Sequence, residues 1–247
     1  MTSLSKKSGQ PLSNTTHPAP RRDRLRHNRL KHKLMKFLID KSPKDVERKM
    51  GLHPSLVAGQ LLTPLTRYRN FGGVFAIDNG AFSGFNPSGF SALLEREKQN
   101  ANRCLFVVVP DIVGSARRTL EVWQFRHDIV KGWPLALVAQ DGAENFDIPW
   151  HELDAIFVGG RDPWKDSQSA VDIVKTAKTL QKHAHVGRVN TLKRYKLFAD
   201  AGADTCDGSG VAMYDHMLDD IAKGLSKKPE PTLFENKESE DDCEAYV

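Results

Sequence analysis

The sequence is poor in the residues that build metal and disulfide frameworks. It has three cysteines in 247 residues, and Cys104, Cys206 and Cys243 form neither a CxxC pair nor a Cys/His cluster with zinc spacing. This odd, scattered set argues against a disulfide framework and a metal site, and it predicts a reducing compartment.

Long apolar runs are also lacking. No stretch approaches the ~18 apolar residues that a membrane-spanning helix needs. The basic N-terminus has no apolar core of the kind that a secretory signal carries. We therefore expect a soluble, cytoplasmic protein with no membrane partner, which would act in the host cytoplasm if the chain is viral.

Two common enzyme motifs are missing as well. No GxGxxG follows the first predicted strand, which weighs against a dinucleotide-binding fold. No Ser-His-Asp order or nucleophile elbow is present, which weighs against a serine hydrolase.

Charge is present but unevenly distributed. The formal net charge is +5, yet residues 21–36 hold eight Arg or Lys against one acid, and residues 235–244 hold six acids against one Lys. A basic block of this kind favours a polyanion such as nucleic acid, although a solvated helix or a flexible arm has the same composition. The predicted nucleic-acid-binding residues of this block are Arg21, Arg22, Arg24, Arg26, Arg29, Lys31 and Lys33.

Composition and periodicity divide the chain into four parts. Residues 1–20 read as a disordered leader. Residues 21–50 read as a basic helical extension, because Leu25, Leu30, Leu34, Phe37 and Leu38 have helix-like spacing and residues 40–50 suggest a second short helix. Residues 51–226 read as a catalytic domain, and residues 227–247 as a disordered acidic tail.

The catalytic domain repeats one pattern, in which a short apolar run ends in a polar residue or glycine. These runs lie near residues 56–62, 74–77, 105–110, 135–139, 155–158, 185–187 and 203–206. Unbroken apolar runs are typical of strands buried on both faces of a parallel sheet. Helix-like segments lie between several runs, at residues 88–101, 116–131, 167–183, 191–201 and 213–224. Successive βα units allow a doubly wound sheet or a barrel, and we predict an α/β fold of the TIM-like (β/α)8 barrel type.

The residues that end these runs predict one shared site. Asp78, Asp111, Gln140 and Asp207 occupy the same relative place after four different runs, and barrel active sites are assembled at that end of the strands. Each could instead cap or shape its own loop. A carboxylate and an amide at such a site suit recognition of a guanine edge, and a second carboxylate could attack an anomeric carbon.

The last run, GADTCDGSG at residues 202–210, is open to three interpretations. Its glycines could cradle a phosphate, Cys206 could be a reactive thiol, or Asp207 could be a catalytic carboxylate. Flanking aspartates make Cys206 a poor nucleophile, so strand packing is the better interpretation for it. Asp204 is the better candidate for a capping role.

Five segments in order resemble the tRNA-guanine transglycosylases. FAIDNGAFSGF (75–85) resembles the family segment TDSGGFQ, and residues 185–208 resemble VGTPENLLEAIARGVDMFDC. VVVPDI, VAQDG and FVGG lie between them in the family's order, so the resemblance covers roughly residues 56–215.

The resemblance implies a role for each matching residue. Asp207 would be the nucleophile that attacks C1′ of a guanosine, and Asp78 the general acid and base. The residues that would bind the base are Asp111, Gln140, Gly159, Gly160, Phe82 and Asn79. Family members exchange guanine for a 7-deazaguanine, with no redox cofactor or ATP.

The chain also departs from the family. The CxCxxC…H zinc site of the tRNA enzymes has no counterpart after Asp207, Asn79 stands for a serine, and Ala81 stands for a glycine. A short, zinc-less chain with a basic N-terminus looks more like the DNA-directed branch of phages and bacteria. We therefore predict a base-exchange transglycosylase that replaces guanine in duplex DNA with a free 7-deazaguanine such as 7-cyano-7-deazaguanine (preQ0), and that could act as a homo-oligomer.

Other interpretations stay open at this level. The chain could be a tRNA-guanine transglycosylase, a barrel enzyme that binds a small phosphorylated metabolite, or a non-catalytic nucleic-acid-binding protein. Phe82 and Phe85 could be core residues rather than a stacking surface. Basic residues on the same face as the site are further predicted nucleic-acid contacts: Arg161, Lys165, Arg188, Lys193 and Arg194.

Overall fold

Eight short parallel strands form a closed barrel in the computed structural model, which describes residues 34–227 apart from the side chains of 126–128. The strands are β1 (Lys36–Ile39), β2 (Val57–Leu62), β3 (Phe75–Ile77), β4 (Cys104–Val108), β5 (Leu135–Ala139), β6 (Ala155–Val158), β7 (His183–Val186) and β8 (Thr205–Cys206). Each strand pairs in parallel with the next, and β8 pairs with β1 through Lys36 opposite Thr205 and Phe37 opposite Cys206. The predicted TIM-like (β/α)8 barrel is confirmed.

Helices surround the barrel. They are α1 (Pro43–Leu52), α2 (Pro87–Glu97), α3 (Ala116–Arg126), α4 (Gln168–Thr179), α5 (Leu192–Asp200), α6 (Ser209–Met213) and α7 (Asp215–Ser226). Five of them begin at a side-chain cap, in which Ser42, Asn86, Ser115, Ser167 or Thr191 accepts a hydrogen bond from a backbone N–H in the first turn. The connections β2–β3 and β5–β6, both fully described, contain no α-helix.

Alternation along each strand separates two cores. Leu38, Phe106, Val138 and Phe157 point into the barrel and form its interior cluster. Their strand neighbours point outward to a larger cluster between the sheet and the helices, as Phe37 does where it stacks on Tyr195 with ring centroids 5.8 Å apart.

The barrel begins earlier than the sequence analysis placed it. Residues 36–39 were predicted to belong to the basic helical extension of residues 21–50, but they form β1, so the predicted boundary at residue 51 is wrong. Phe37 and Leu38 are buried on opposite sides of the chain, which a strand permits and the predicted amphipathic helix does not. The short helix expected at residues 40–50 corresponds to α1.

The ends of the chain lie outside the described residues. This applies to the predicted leader (1–20), to residues 21–33 of the basic extension with all seven of its predicted nucleic-acid contacts, and to the acidic tail from residue 228 onward. Among the described helices, none has both the length and the apolar character needed to cross a bilayer.

Candidate active site

Four carboxylates meet in one cavity at the carboxyl ends of the strands. Asp40, Asp78, Asp111 and Asp207 follow β1, β3, β4 and β8, and all line a cavity of about 280 Å³. Active sites of (β/α)8 barrels lie at this end. The side chains that were predicted to lie together at the strand ends do so, and Asp40 joins them as a carboxylate that the prediction did not name.

Strand alternation explains which side chains reach the cavity. Because successive side chains alternate between the two faces of a strand, the residue two places beyond an interior side chain also points inward. Asp40 follows Leu38 in this way, Asp78 follows Ala76, and Gln140 follows Val138. Asp207 likewise lies two residues beyond Thr205 of β8. The sequence position thus determines the direction of each side chain.

Asp207 is held by two donors. Its Oδ2 lies 3.0 Å from Nε2 of His185, and its Oδ1 accepts a hydrogen bond of 3.2 Å from the backbone N–H of Arg188. Arg188 has a left-handed backbone with φ of 59°, and this conformation directs its N–H toward the carboxylate. A Cβ on Gly187 would lie 3.3 Å from Oδ2, so the glycine keeps the space beside the carboxylate open.

Asp78 differs from Asp207 in its electrostatics. Burial, together with repulsion from Asp207, Asp111 and Asp40, raises the pKa of Asp78 from 3.8 to about 7, although the Gly80 N–H, 2.9 Å from Oδ1, opposes the shift. A carboxyl with a pKa near neutrality can both give and accept a proton at physiological pH.

Asp111 is positioned by two amides. Asn79 Nδ2 donates to Oδ1 at 2.8 Å, and Gln140 Nε2 donates to Oδ2 at 2.6 Å. Burial raises the pKa of Asp111, and these two hydrogen bonds oppose that rise. Each carboxylate oxygen keeps a lone pair that can accept a hydrogen bond from a ligand.

The structure corrects the predicted role of Asn79. Its amide N–H groups donate to Asp111 and to the carbonyl of Val109, and its Oδ1 accepts from the N–H of Ala81 at 2.7 Å. The side chain is buried and has no donor left for a substrate. Gln140 keeps one N–H, because its Oε1 accepts from Gly114 and only one amide hydrogen goes to Asp111.

Gly159 and Gly160 also differ from their predicted role. Both N–H groups donate to the carbonyl of Ala139, so they do not offer donors to a ligand. Gly159 lines the cavity, and a Cβ there would lie 2.3 Å from Val138 Cγ1 and 3.2 Å from Gln140 Nε2. A Cβ on Gly160 would lie 2.2 Å from Trp164. The two glycines are therefore needed because no Cβ would fit at either position.

Phe82 and Arg188 form the rim of the cavity. Phe82 is 67% exposed, so it is a surface aromatic and not a core residue. The Arg188 guanidinium lies 4.9 Å from the centre of the Phe82 ring and donates to the carbonyl of Gly160 at 2.7 Å. A flat ring that is open to solvent at the entrance can stack on a base.

Lys165 is not the surface phosphate contact that was predicted. Its side chain is fully buried, lines the cavity and donates to the carbonyl of Gly187 at 2.7 Å. Burial, reinforced by Arg188, lowers the pKa of Lys165 from 10.5 to about 7, against the attraction of Asp207. Lys165 therefore lines the cavity and is not exposed on the protein surface.

The other predicted basic contacts differ in their partners. Arg194 makes ion pairs with Asp162 and Asp166, both at 2.7 Å, and its side chain is only 16% exposed. Arg161 pairs with Asp141 but remains mostly exposed, and Lys193 is exposed on α5. Arg161 and Lys193 therefore stay predicted phosphate contacts, whereas the guanidinium of Arg194 is already paired with two carboxylates.

Sequence reasoning missed Asp40 and His185. Asp40 ends the apolar run FLI just as the other carboxylates end theirs, but that run had been assigned to a helix. Burial raises the pKa of Asp40 to about 6, and its Oδ1 has no hydrogen-bond partner within the described chain. His185 was not among the predicted site residues, because its bond to Asp207 depends on the pairing between β7 and β8.

In the GADTCDGSG segment, Asp207 lines the cavity, whereas Cys206 and Asp204 do not. Cys206 is fully buried on β8, and burial keeps its pKa well above its ordinary value, which confirms strand packing. Asp204 binds Lys178 and the Ala184 N–H. The N–H groups of Gly210 and Val211 donate to Oδ1 of Asn190.

No family model matches the chain, and no curated protein matches it significantly. Within residues 34–227, no group of three or more His, Cys, Asp or Glu side chains is placed to hold a metal ion.

Proposed function

We propose that the protein is a base-exchange transglycosylase that replaces guanine in DNA with a 7-deazaguanine through a covalent aspartyl-glycosyl intermediate. The observation that carries the proposal is the pairing of Asp207 and Asp78 in one cavity. Asp207 is held by donors to both oxygens, and Asp78 has a pKa near neutrality. Such a pair suits a nucleophile and a general acid.

The first half of the reaction forms the intermediate. A free oxygen lone pair of Asp207 attacks C1′ of the target nucleotide, and the bond between C1′ and N9 of guanine breaks. The electron pair of that bond stays on guanine, and the protonated carboxyl of Asp78 supplies the proton that makes guanine a neutral leaving base. The nucleotide is then an ester of Asp207.

The second half reverses these steps with a different base. The incoming 7-deazaguanine gives its N9 proton to the Asp78 carboxylate, and N9 attacks C1′ while Asp207 departs. Atoms balance without an oxidant or reductant, because one base enters and one leaves. Two displacements at C1′ retain the configuration.

The cavity suits a purine edge rather than a phosphate. Asp111 can accept from the N1–H and exocyclic amine of guanine, and the spare N–H of Gln140 can donate to O6. Its volume of about 280 Å³ lies near the low end of the range of ~300–1,000 Å³ for ligand sites, as expected for a single base. The four carboxylates that line the cavity disfavour a phosphorylated metabolite.

The polynucleotide is proposed to be DNA on the basis of the sequence. The zinc site of the tRNA enzymes has no counterpart here, and residues 21–36 are basic. A guanine in a duplex must leave the stack before Asp207 can reach C1′, at a cost of a few kcal/mol. Phe82, exposed at the rim, is placed to stack on such a base.

The test is an exchange assay. The protein is incubated with guanine-containing duplex DNA, or separately with tRNA, and with radiolabelled 7-cyano-7-deazaguanine. We expect label in DNA and release of one guanine for each label that enters. Label in tRNA alone would transfer the proposal to tRNA, and label in neither would contradict it.

A further inference from the structure

A chain of hydrogen bonds between side chains of β7 and β8 leads to Asp207. His183 Nε2 lies 2.7 Å from Thr205 Oγ1, which lies 2.8 Å from His185 Nδ1. His185 Nε2 in turn lies 3.0 Å from Asp207 Oδ2. His185 is fully buried, with ring centroids 4.6 Å from Phe157 and 5.0 Å from Phe106.

Elementary bonding rules give this chain a direction. An ionised carboxylate only accepts, so His185 must donate Nε2–H to Asp207. The Nδ1 of a neutral His185 is then an acceptor, and the single hydroxyl hydrogen of Thr205 must go to it. The Thr205 oxygen can consequently accept from His183 Nε2–H. Every donor in the chain points toward Asp207.

We propose that His185 is a positioning residue that promotes departure of Asp207 from the covalent intermediate. This inference rests on the proposed exchange reaction. The Nε2–H bond is strongest to a full carboxylate charge and weaker to the oxygen of an ester. It therefore stabilises the charge that develops on Asp207 as the ester bond breaks, and it favours the second half-reaction over the first.

Two substitutions at one position separate this role from packing. His185→Gln can place its amide nitrogen where Nε2 was and keeps a donor to Asp207, whereas His185→Leu fills similar space between the Phe106 and Phe157 rings without a donor. The measurement is the rate of each half-reaction, followed as formation and breakdown of the protein–DNA adduct in rapid-quench experiments. In His185→Leu we expect breakdown, relative to formation, to slow by about tenfold or more, so that adduct accumulates.

His185→Gln should restore the parent ratio of the two rates. If both variants keep the parent ratio, or if both change it equally, His185 only packs and the inference is overturned. Circular dichroism and thermal unfolding of each variant identify a loss of rate that comes from misfolding.

A second measurement needs no activity. Nitrogen-15 NMR of the histidine-labelled protein reports which ring nitrogen carries hydrogen, and the resonances lost in His185→Gln identify His185. We expect the Nε2–H tautomer in the parent and in Thr205→Val, because Asp207 still requires a donor, together with a shifted Nδ1 resonance in Thr205→Val, where Nδ1 has lost its hydroxyl donor. An Nδ1–H tautomer in the parent, or an unchanged spectrum in Thr205→Val, contradicts the directed chain. Failure of the exchange reaction itself would appear as an absence of adduct in the parent.

Discussion

At the residue scale, two chemically identical side chains, Asp207 and Asp78, have different hydrogen-bond partners and electrostatic surroundings. Asp207 has a donor to each oxygen, whereas Asp78 has a single backbone donor, from Gly80, and three neighbouring carboxylates. Charge repulsion and burial keep Asp78 partly protonated near neutral pH. Carboxyl groups with unlike surroundings are a common basis for dividing acid and nucleophile roles.

The raised pKa of Asp78 predicts a stability cost that depends on pH. The folded protein holds a proton on Asp78 that the unfolded chain releases above its ordinary pKa of 3.8, so the contribution to stability is lost as pH rises through about 7. Asp78→Asn should therefore be more stable than the parent at pH 8, on the order of 1 to 3 kcal/mol, and nearly equal to it at pH 4.

Urea unfolding at pH 4 and pH 8 measures this difference. Asp200→Asn, at an exposed position in α5, is the matched control and should show no such dependence. A gap between Asp78→Asn and the parent that is as large at pH 4 as at pH 8 would show that charge burial is not its cause.

The lowered pKa of Lys165 predicts a dependence of stability on pH that is opposite to that of Asp78. Its pKa falls from 10.5 to about 7 on folding, so the unfolded chain binds the extra proton between these values and the parent gains stability as pH rises through that window. Lys165→Met removes the buried charge and should stabilise the protein at pH 7 by on the order of 1 to 3 kcal/mol, with little effect near pH 10.5. Denaturant unfolding across this pH range measures the difference in stability, with the Lys193→Met variant at an exposed position as the control. A Lys165→Met protein that is less stable than the parent at pH 7 would contradict the prediction.

The sequence predicted which strand ends carry the site but not how their polar groups are used. Asp78, Asp111, Gln140 and Asp207 were found because each follows an apolar run and barrel sites are assembled at that end of the strands. The full use of the Asn79 amide and the burial of Lys165 depend on contacts between residues far apart in the chain. Local patterns contain no record of those contacts.

At the element scale, ion pairs and hydrogen bonds connect α1 to α7 and to α6. Lys49 of α1 is buried and donates to Asp215 of α7 at 2.6 Å and to the carbonyl of Val211 at 3.0 Å. Arg48 also pairs with Asp215 at 2.5 Å, and Arg48 and Lys49 lower the pKa of Asp215 to about 2.

Removal of the Asp215 charge should weaken the contacts between α1 and α7. Asp215→Asn leaves Lys49 without a counterion, and because Asp215 is 45% exposed we expect a loss of only about 1 kcal/mol at pH 7. The contribution of a carboxyl with a lowered pKa is present above its ordinary value of 3.8 and is lost as pH falls through about 2, so parent and variant should converge there. Thermal unfolding measures the loss, with the Asp220→Asn variant at an exposed position of α7 as the control. Equal effects of the two variants would show that the ion pairs of Asp215 do not stabilise the fold.

Close backbone approach makes Gly59 on β2 a sensitive position. A Cβ there would lie 1.9 Å from the carbonyl oxygen of Val74, whereas a Cβ on Gly51 of α1 meets nothing within 4 Å. Gly59→Ala should destabilise the barrel by about 2 kcal/mol or more, since backbone cannot easily move aside. Gly51→Ala should be neutral or stabilising by up to about 1 kcal/mol. Comparable unfolding midpoints for the two variants would contradict this geometry.

Element prediction was most accurate where the apolar run is unbroken. Residues 135–139 and 155–158 form β5 and β6 as predicted. β1 was missed because basic residues with helix-like leucine spacing precede it, and only its pairing with β2 and β8 decides the conformation. β7 begins at His183, two residues before the prediction, since polar His183 and His185 face the barrel interior and interrupt the apolar pattern.

At the scale of the whole molecule, the cavity is rich in carboxylates although the chain as a whole is basic. The chain has a net charge of +5, yet the cavity gathers four carboxylates beside Lys165 and Arg188. We infer that basic residues outside the cavity attract the polynucleotide, while the acidic cavity admits a base with N–H groups and rejects phosphate. The contact of the basic residues 21–33 with nucleic acid stays a prediction from the sequence.

The measurement that tests the central claim most directly is the mass of a covalent adduct. The parent protein, Asp207→Asn and the control Asp200→Asn are each incubated with guanine-containing duplex DNA without an incoming base, denatured and digested, and the peptides are analysed by mass spectrometry. We predict a DNA adduct on Asp207 in the parent and in Asp200→Asn, and none in Asp207→Asn. An adduct on another residue, or label exchange by Asp207→Asn at the parent rate, would contradict the account.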